Sequence, residues 1–195
     1  MKKFGLTVLL LAAPDLALAA NSSVYTSFDL KKCAVLQAAV PNEEFGGSYI
    51  CKAYAGLKLY FAEGDLRTMI AFGKQPEKHC AATQSFGHFN SANSTIEWRL
   101  NKGKPIATIQ RWNVASGDSD AAKDKSWLVV TKLEPTNSCR MAVIEGALPN
   151  ANAKAREVAD QLAASFKCTS DEEKIFALPA TNKQDAGGSG TCEKN

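Results

Sequence analysis

Hydrophobic and polar positions alternate most clearly at Thr95-Ile96-Glu97-Trp98-Arg99-Leu100. Ile96, Trp98 and Leu100 fall on one side, Glu97 and Arg99 on the other, which is the period of two that a strand imposes. Asn101-Lys102-Gly103-Lys104 has turn chemistry, and residues 105–112 run back, so the segment predicts a β-hairpin. Residues 126–133 are apolar on both faces, which predicts a central strand. Glu134-Pro135-Thr136-Asn137 turns the chain, and 139–144 predicts a last strand. Upstream, residues 24–28, 32–36, 48–54, 57–62 and 66–72 are short β-branched and aromatic runs between turn residues. That is the rhythm of a meander, with Glu63-Gly64-Asp65 as one of its turns. Residues 73–94 lack periodicity, hold both histidines and read as a long surface loop. A second polar loop spans 116–125.

After residue 149 the period changes. Ala155, Val158, Ala159, Leu162, Ala163 and Phe166 recur at spacings of three and four, which predicts an amphipathic helix. Its cap is expected at Asn150 or Asn152 and its end near Phe166-Lys167. Arg156 and Asp160 are spaced to pair at i,i+4 on the other face. Together the elements predict an α+β, mainly β fold. It is an antiparallel sheet, meander or sandwich-like, with one C-terminal helix across it.

The two ends follow other rules. Lys2-Lys3, the apolar run from Phe4 to Ala13 and the small-x-small site Ala17-Leu18-Ala19 mark residues 1–19 as a signal peptide. The apolar run is too short for a membrane span and is broken by Pro14 and Asp15, and no later segment is long and apolar enough for one. Residues 20–179 then form a single domain. Residues 180–195, with Gly187-Gly188-Ser189-Gly190, have the composition of a flexible Gly/Ser-rich tail.

Composition narrows the function. The 195 residues carry 23 Lys and Arg against 20 Asp and Glu, with 45% hydrophobic residues. That is an ordinary globular balance, without the clustered basic excess of a nucleic-acid binder. Six cysteines beside two histidines after an export signal read as a disulfide framework. Cys33 and Cys51 sit in successive strands, and Cys139 lies on a strand against which the helix before Cys168 packs back. These positions favour two local bridges. Cys80 and Cys192 remain, to pair with each other, stay free or pair between chains.

Chemical motifs are few. There is no Gly-x-Ser-x-Gly elbow, His-Glu-x-x-His motif, Cys-x-x-Cys pair or phosphate-binding Gly-rich loop. His79, Cys80 and His88 would be a metal set from one loop, but solvated histidines are the simpler reading, so no metal or cofactor is expected. Glu63, Asp65 and Glu97 are the carboxylates that a glycosidase-type reaction would use, against a plain turn and a solvated strand face. Trp98, Arg99, Arg111 and Trp112 lie on neighbouring strands and form a candidate binding surface, since Trp and Arg dominate binding hot spots. Their alternative role is to fill the core and cover its edges.

Two resemblances add to this reading. Asp29-Leu30-Lys31-Lys32-Cys33, Glu63-Gly64-Asp65-Leu66-Arg67, Glu97-Trp98-Arg99-Leu100 and Val129-Val130-Thr131-Lys132-Leu133-Glu134-Pro135 resemble a family of small exported bacterial proteins without an assigned activity. The likeness spans most of 25–170 and includes Cys33, Cys51, Cys139 and Cys168. It implies a periplasmic or secreted location. Tyr49-Ile50-Cys51 followed by Gly56 and a strand is similar to the entry of periplasmic lysozyme inhibitors. Their inhibitory loop carries Ser-Gly-x-x-Tyr, whereas Ser116-Gly117 is followed here by Asp118, Ser119 and Asp120. The expectation is an exported, non-enzymatic protein that binds a protein, glycan or other component of the cell envelope. The alternatives are a hydrolase of envelope polymers and an inhibitor of an envelope-degrading enzyme such as lysozyme.

Overall fold

The structure, a computed structural model, describes residues 21–41, 45–115, 124–181, 186–189 and 192. The leader read at 1–19 and the Ser-Gly segment at 116–120 lie outside the described residues. In chain order the strands are β1 (Ser22–Ser27), β2 (Ala34–Gln37), β3 (Phe45–Lys52), β4 (Lys58–Gly64), β5 (Arg67–Gly73), β6 (Ser85–Phe86), β7 (Asn90–Asn101), β8 (Lys104–Val114), β9 (Lys125–Leu133) and β10 (Ser138–Glu145). The helix α1 (Ala151–Leu162) follows, then β11 (Lys174–Phe176) and β12 (Gly188–Ser189).

Among the described residues the fold is mainly β, with antiparallel sheets and one α-helix. Strands β2 to β5 form a four-stranded meander. A larger sheet has the order β1-β7-β8-β9-β10-β11, antiparallel except for the parallel pair β10–β11. Strand β11 has no signature in the sequence, because three residues are too few to show a period.

The larger sheet is covered on both faces, and this explains the alternation in β7. Ile96, Trp98 and Leu100 join Trp112, Trp127 and Val129 against Leu59, Ile70 and Phe72 of the smaller sheet. The opposite face, with Ile109, Leu128, Val130 and Met141, packs against Ala155, Val158 and Ala159 of α1. β9 lies between β8 and β10 and is buried on both sides, as its doubly apolar pattern requires.

Glu97 and Arg99 therefore do not form a solvated strand face. They lie buried beneath the helix, which brings their counter-charges. Arg156 Nε donates to Glu97 Oε1 at 2.7 Å. Arg99 grips Asp160 with Nε at 3.0 Å and Nη2 at 2.6 Å. Arg156 and Asp160, spaced to pair with each other, reach across to the sheet instead. Burying a charge demands a partner, whereas an exposed i,i+4 pair contributes only a few tenths of a kcal/mol. α1 is also shorter than expected. Asn150 is its N-cap residue but makes no side-chain cap bond, the helix ends at Leu162, and Phe166 N still bonds back to Leu162 O at 2.8 Å.

Residues 73–94 are not one surface loop. They hold two 3-10 turns (Pro76–Lys78 and Cys80–Thr83), then β6 and the start of β7. Ala81 and Phe86 are fully buried. His79 is also buried, not solvated. Its Nδ1 lies 3.0 Å from Phe72 O and 3.2 Å from Ser138 Oγ. A carbonyl only accepts, so Nδ1 carries the proton. A side chain at Gly73 would overlap the His79 ring, its Cβ falling 2.2 Å from Cε1.

Part of the Gly/Ser-rich end is also tied down. β12 pairs with β6, Ala186 is fully buried, and Cys192 bonds to Cys80. Cys33 is bonded to Cys51 and Cys139 to Cys168, so every cysteine is paired. Among the described residues no helix is long and apolar enough to cross a membrane.

Two predictions follow from these contacts. Asp160→Ala leaves Arg99 buried without its carboxylate and should lower stability in urea by about 2–3 kcal/mol. Arg99→Met combined with Asp160→Leu should recover most of that loss; no recovery would mean that the charge is not the cause. Burial of His79 holds its pKa below the ordinary 6.5, against smaller opposing effects from Phe72 O and Glu77. Between the folded and unfolded pKa values the unfolded chain binds the extra proton, so stability is full above the unfolded value and falls as pH drops through it. Wild type should lose more stability than His79→Gln between about pH 7.5 and about pH 5. Equal losses would show that His79 is not the titrating group.

Candidate functional site

Of the four residues grouped as a binding surface, two belong to the core. Trp98 is fully buried, edge-on to Phe72 at 5.3 Å, and its Nε1 donates to Thr26 Oγ1 at 2.8 Å. Trp112 is buried against Phe86 at 5.7 Å. Arg99 is the buried partner of Asp160. Arg111 is half-buried and bonds Ser126 Oγ at 2.6 Å and Asn152 Oδ1 at 3.1 Å, which ties β9 and the start of α1 together. The four residues join the layers and present no open face, because both sides of their sheet are covered.

The three carboxylates do not converge either. Glu97 lies under α1, held by Arg156 and Ser23. Glu63 and Asp65 belong to the β4–β5 hairpin on the smaller sheet. Among the described residues no group of three His, Cys, Asp or Glu side chains is arranged to hold a metal ion.

What does stand out is the tip of that hairpin. Gly64 pairs with Arg67 at the end of the ladder, so the two turn residues are Asp65 and Leu66. Both adopt left-handed backbone angles, with φ of 48° and 55°. Such turns favour Asn-Gly or Asp-Gly. Leucine in that region costs roughly 1–2 kcal/mol from the clash of its Cβ with the backbone. The glycine of the turn signal, Gly64, sits two places before Leu66 and does not relieve it.

The strained turn is held in place at several points. Asn90 N donates to Leu66 O at 2.9 Å. Arg67 Nε donates to Gly87 O at 3.0 Å, and its guanidinium also binds the backbone and carboxylate of Asp65. The Asn90 side chain is itself locked, accepting from Thr68 N at 3.1 Å and donating to Ser85 Oγ at 3.1 Å and His88 O at 2.8 Å. The turn is thus bonded through its own backbone at Leu66 and through the Arg67 side chain beside it.

Two apolar groups crown it. Leu66 is 62% exposed and Phe89 is 48% exposed. The Arg67 guanidinium lies over the Phe89 ring at 5.1 Å. Beside them is a concavity of about 390 Å³, with Phe61, Glu63, Asn113 and Asp124 in its lining. Its charged groups are carboxylates, and the nearby Arg67 is already engaged by Asp65. The chemistry suits an apolar side chain set against the knobs and a basic or amide donor set against Glu63 or Asp124. Glu63 also excludes a side chain from the facing strand, since a Cβ at Gly46 would overlap its carboxylate.

A second concavity, about 580 Å³, lies between the start of α1 and β11 and is lined by Leu148, Pro149, Ala153, Ile175 and Phe176. Its lining includes Asn150, also left-handed at φ 58°, but asparagine adopts that conformation far more readily than leucine.

Leu66 and Phe89 were not singled out from the sequence. The available signal was a leucine at a turn position that normally takes glycine, and a phenylalanine in a polar stretch. Comparison with known proteins finds no family model, no curated protein and no solved structure that matches this chain.

If the turn is strained as described, Leu66→Gly should raise the stability of the disulfide-intact protein by about 1 kcal/mol in urea, despite the lost side chain. A loss of stability would show that Leu66 packs for the fold instead.

Proposed function

We propose that this is an exported, non-enzymatic binding protein of the bacterial envelope that docks a partner protein through the Leu66–Phe89 tip. One observation carries the reading: a leucine is kept in a costly backbone conformation, locked at several points, and still presented to solvent. Backbone strain that the surroundings over-determine concentrates at functional sites. A rigid knob also binds without the ordering cost of a flexible loop.

Supporting features fit the same setting. Three disulfides suit an oxidising compartment outside the cytoplasm. The Lys2-Lys3 start, the apolar run and the Ala17-Leu18-Ala19 site support export, with the periplasm as the place of action. The partner segment carries an apolar side chain next to a basic one, to match the knobs and the carboxylates.

The test is affinity capture from native envelope extract with the disulfide-intact protein as bait. Wild type should retain a partner that Leu66→Gly and Phe89→Ser both lose, although the first variant is folded at least as stably. A partner retained equally by wild type and both variants would place binding elsewhere.

A further inference from the structure

The tip is joined to one of the disulfides by a continuous set of bonds. Cys80 and Cys192, 112 positions apart, anchor the end of the chain to the segment 73–94. Close to that anchor β12 pairs with β6, Gly188 against Phe86 and Ser189 against Ser85. Among the described residues β6 has no other strand beside it. Ala186 is fully buried in the same apolar cluster as Phe86.

β6 in turn holds the residue that holds Leu66. Ser85 Oγ donates to Thr68 O at 2.8 Å and accepts from Asn90 Nδ2 at 3.1 Å. Phe86 O accepts from the same Nδ2 at 3.5 Å. Gly87 O, the next residue on, accepts from Arg67 Nε. Asn90 N completes the set by donating to Leu66 O. Every bond from Ser85, Phe86 and Gly87 to the tip therefore comes from a segment whose strand partner is β12. A ladder of two residues is far too short to hold by itself, so β12 depends on the bridge beside it.

The three bridges differ in access. Cys139 and Cys168 are both buried, and Cys51 is buried beside a half-buried Cys33. At Cys80–Cys192 both cysteines are only half-buried. A thiolate must reach a sulfur to exchange with it, so the most accessible bridge reacts first.

We propose that Cys80–Cys192 is a redox switch on the tip. A dithiol reductant attacks one sulfur and forms a mixed disulfide, which its second thiol resolves. Two electrons and two protons pass to Cys80 and Cys192, and the reductant leaves as its own disulfide. β12 then parts from β6, the Asn90 lock loosens, and Leu66 gives up its left-handed conformation. Reoxidation restores the docking form. Control of docking rests on the tip reading, whereas control of the lock by the bridge is measured on its own.

Graded dithiothreitol, with iodoacetamide trapping and peptide mapping, reads the order in which the bridges open. Cys80 and Cys192 should be alkylated before any other cysteine. In that trapped form, and in Cys80→Ser with Cys192→Ser, the Asn90 amide should exchange at least about tenfold faster than in the intact protein. The amides of Val129 and Val130 on β9 should keep their rates, and capture of the partner should fall. Another bridge opening first, an unchanged Asn90 amide, or equal acceleration on β9 overturns the proposal. A loosened Asn90 with undiminished capture overturns the control of docking. If intact wild type captures no partner, the tip reading fails, and the Asn90 rates still decide whether the bridge controls the lock.

Discussion

Coverage of the larger sheet on both faces is the constraint on which the rest of the structure depends. Trp98, Trp112 and Trp127 fill the space toward the smaller sheet. Small residues of α1, Ala155 and Ala159 among them, let the helix lie close on the other side. With both faces closed, the charged side chains of the sheet take their partners inside the molecule, although the indole Nε1 groups of Trp112 and Trp127 and Nη1 of Arg140 are buried without a hydrogen-bond partner. Glu97 and Arg99 do so through Arg156 and Asp160 of the helix. Arg140, on β10, does so through Glu173 at 2.7 Å and the face of Phe86 at 4.2 Å.

The same constraint gives the chain ends their work. The segment after α1 is held on the β10 side, where Glu145 accepts from Leu178 N at 2.8 Å and from Thr181 Oγ1. Farther on, β12 and Cys192 reach the strap that carries β6 and Cys80. His79 sits between that strap and the sheets, in contact with Phe72 and Ser138. The three bridges thus hold the strap, the edge strand and the segment after the helix, which are the parts with the least regular ladder to hold them.

Where the sequence pattern was periodic, the fold was legible. The β7–β8 hairpin, the doubly buried β9, the β2–β5 part of the meander and α1 follow from alternation or from spacings of three and four, whereas β1, read as part of the meander, pairs with β7 in the larger sheet. The Cys33–Cys51 and Cys139–Cys168 pairings follow from strand neighbourhood. What could not be read depended on where elements meet. A period of two separates Glu97 and Arg99 from Ile96 and Trp98, but it does not say that a helix lies on the polar side. The strap at 73–94 is buried by Phe86 and Ala81 without any repeat to announce it. The tip was hidden for a related reason. Gly64 and Asp65 looked like the turn, and only the strand register shows that Leu66 takes the left-handed position.

With the interior closed, the proposed docking role rests on what projects. The tip joins a strained backbone, two exposed apolar side chains and a carboxylate-lined hollow, and its stiffness is the central claim. Amide hydrogen exchange at Asn90 tests this most directly, because its N–H is bonded to Leu66 O. A locked tip predicts that this amide exchanges as slowly as the paired amides of β7. Exchange as fast as in an unstructured peptide would contradict it.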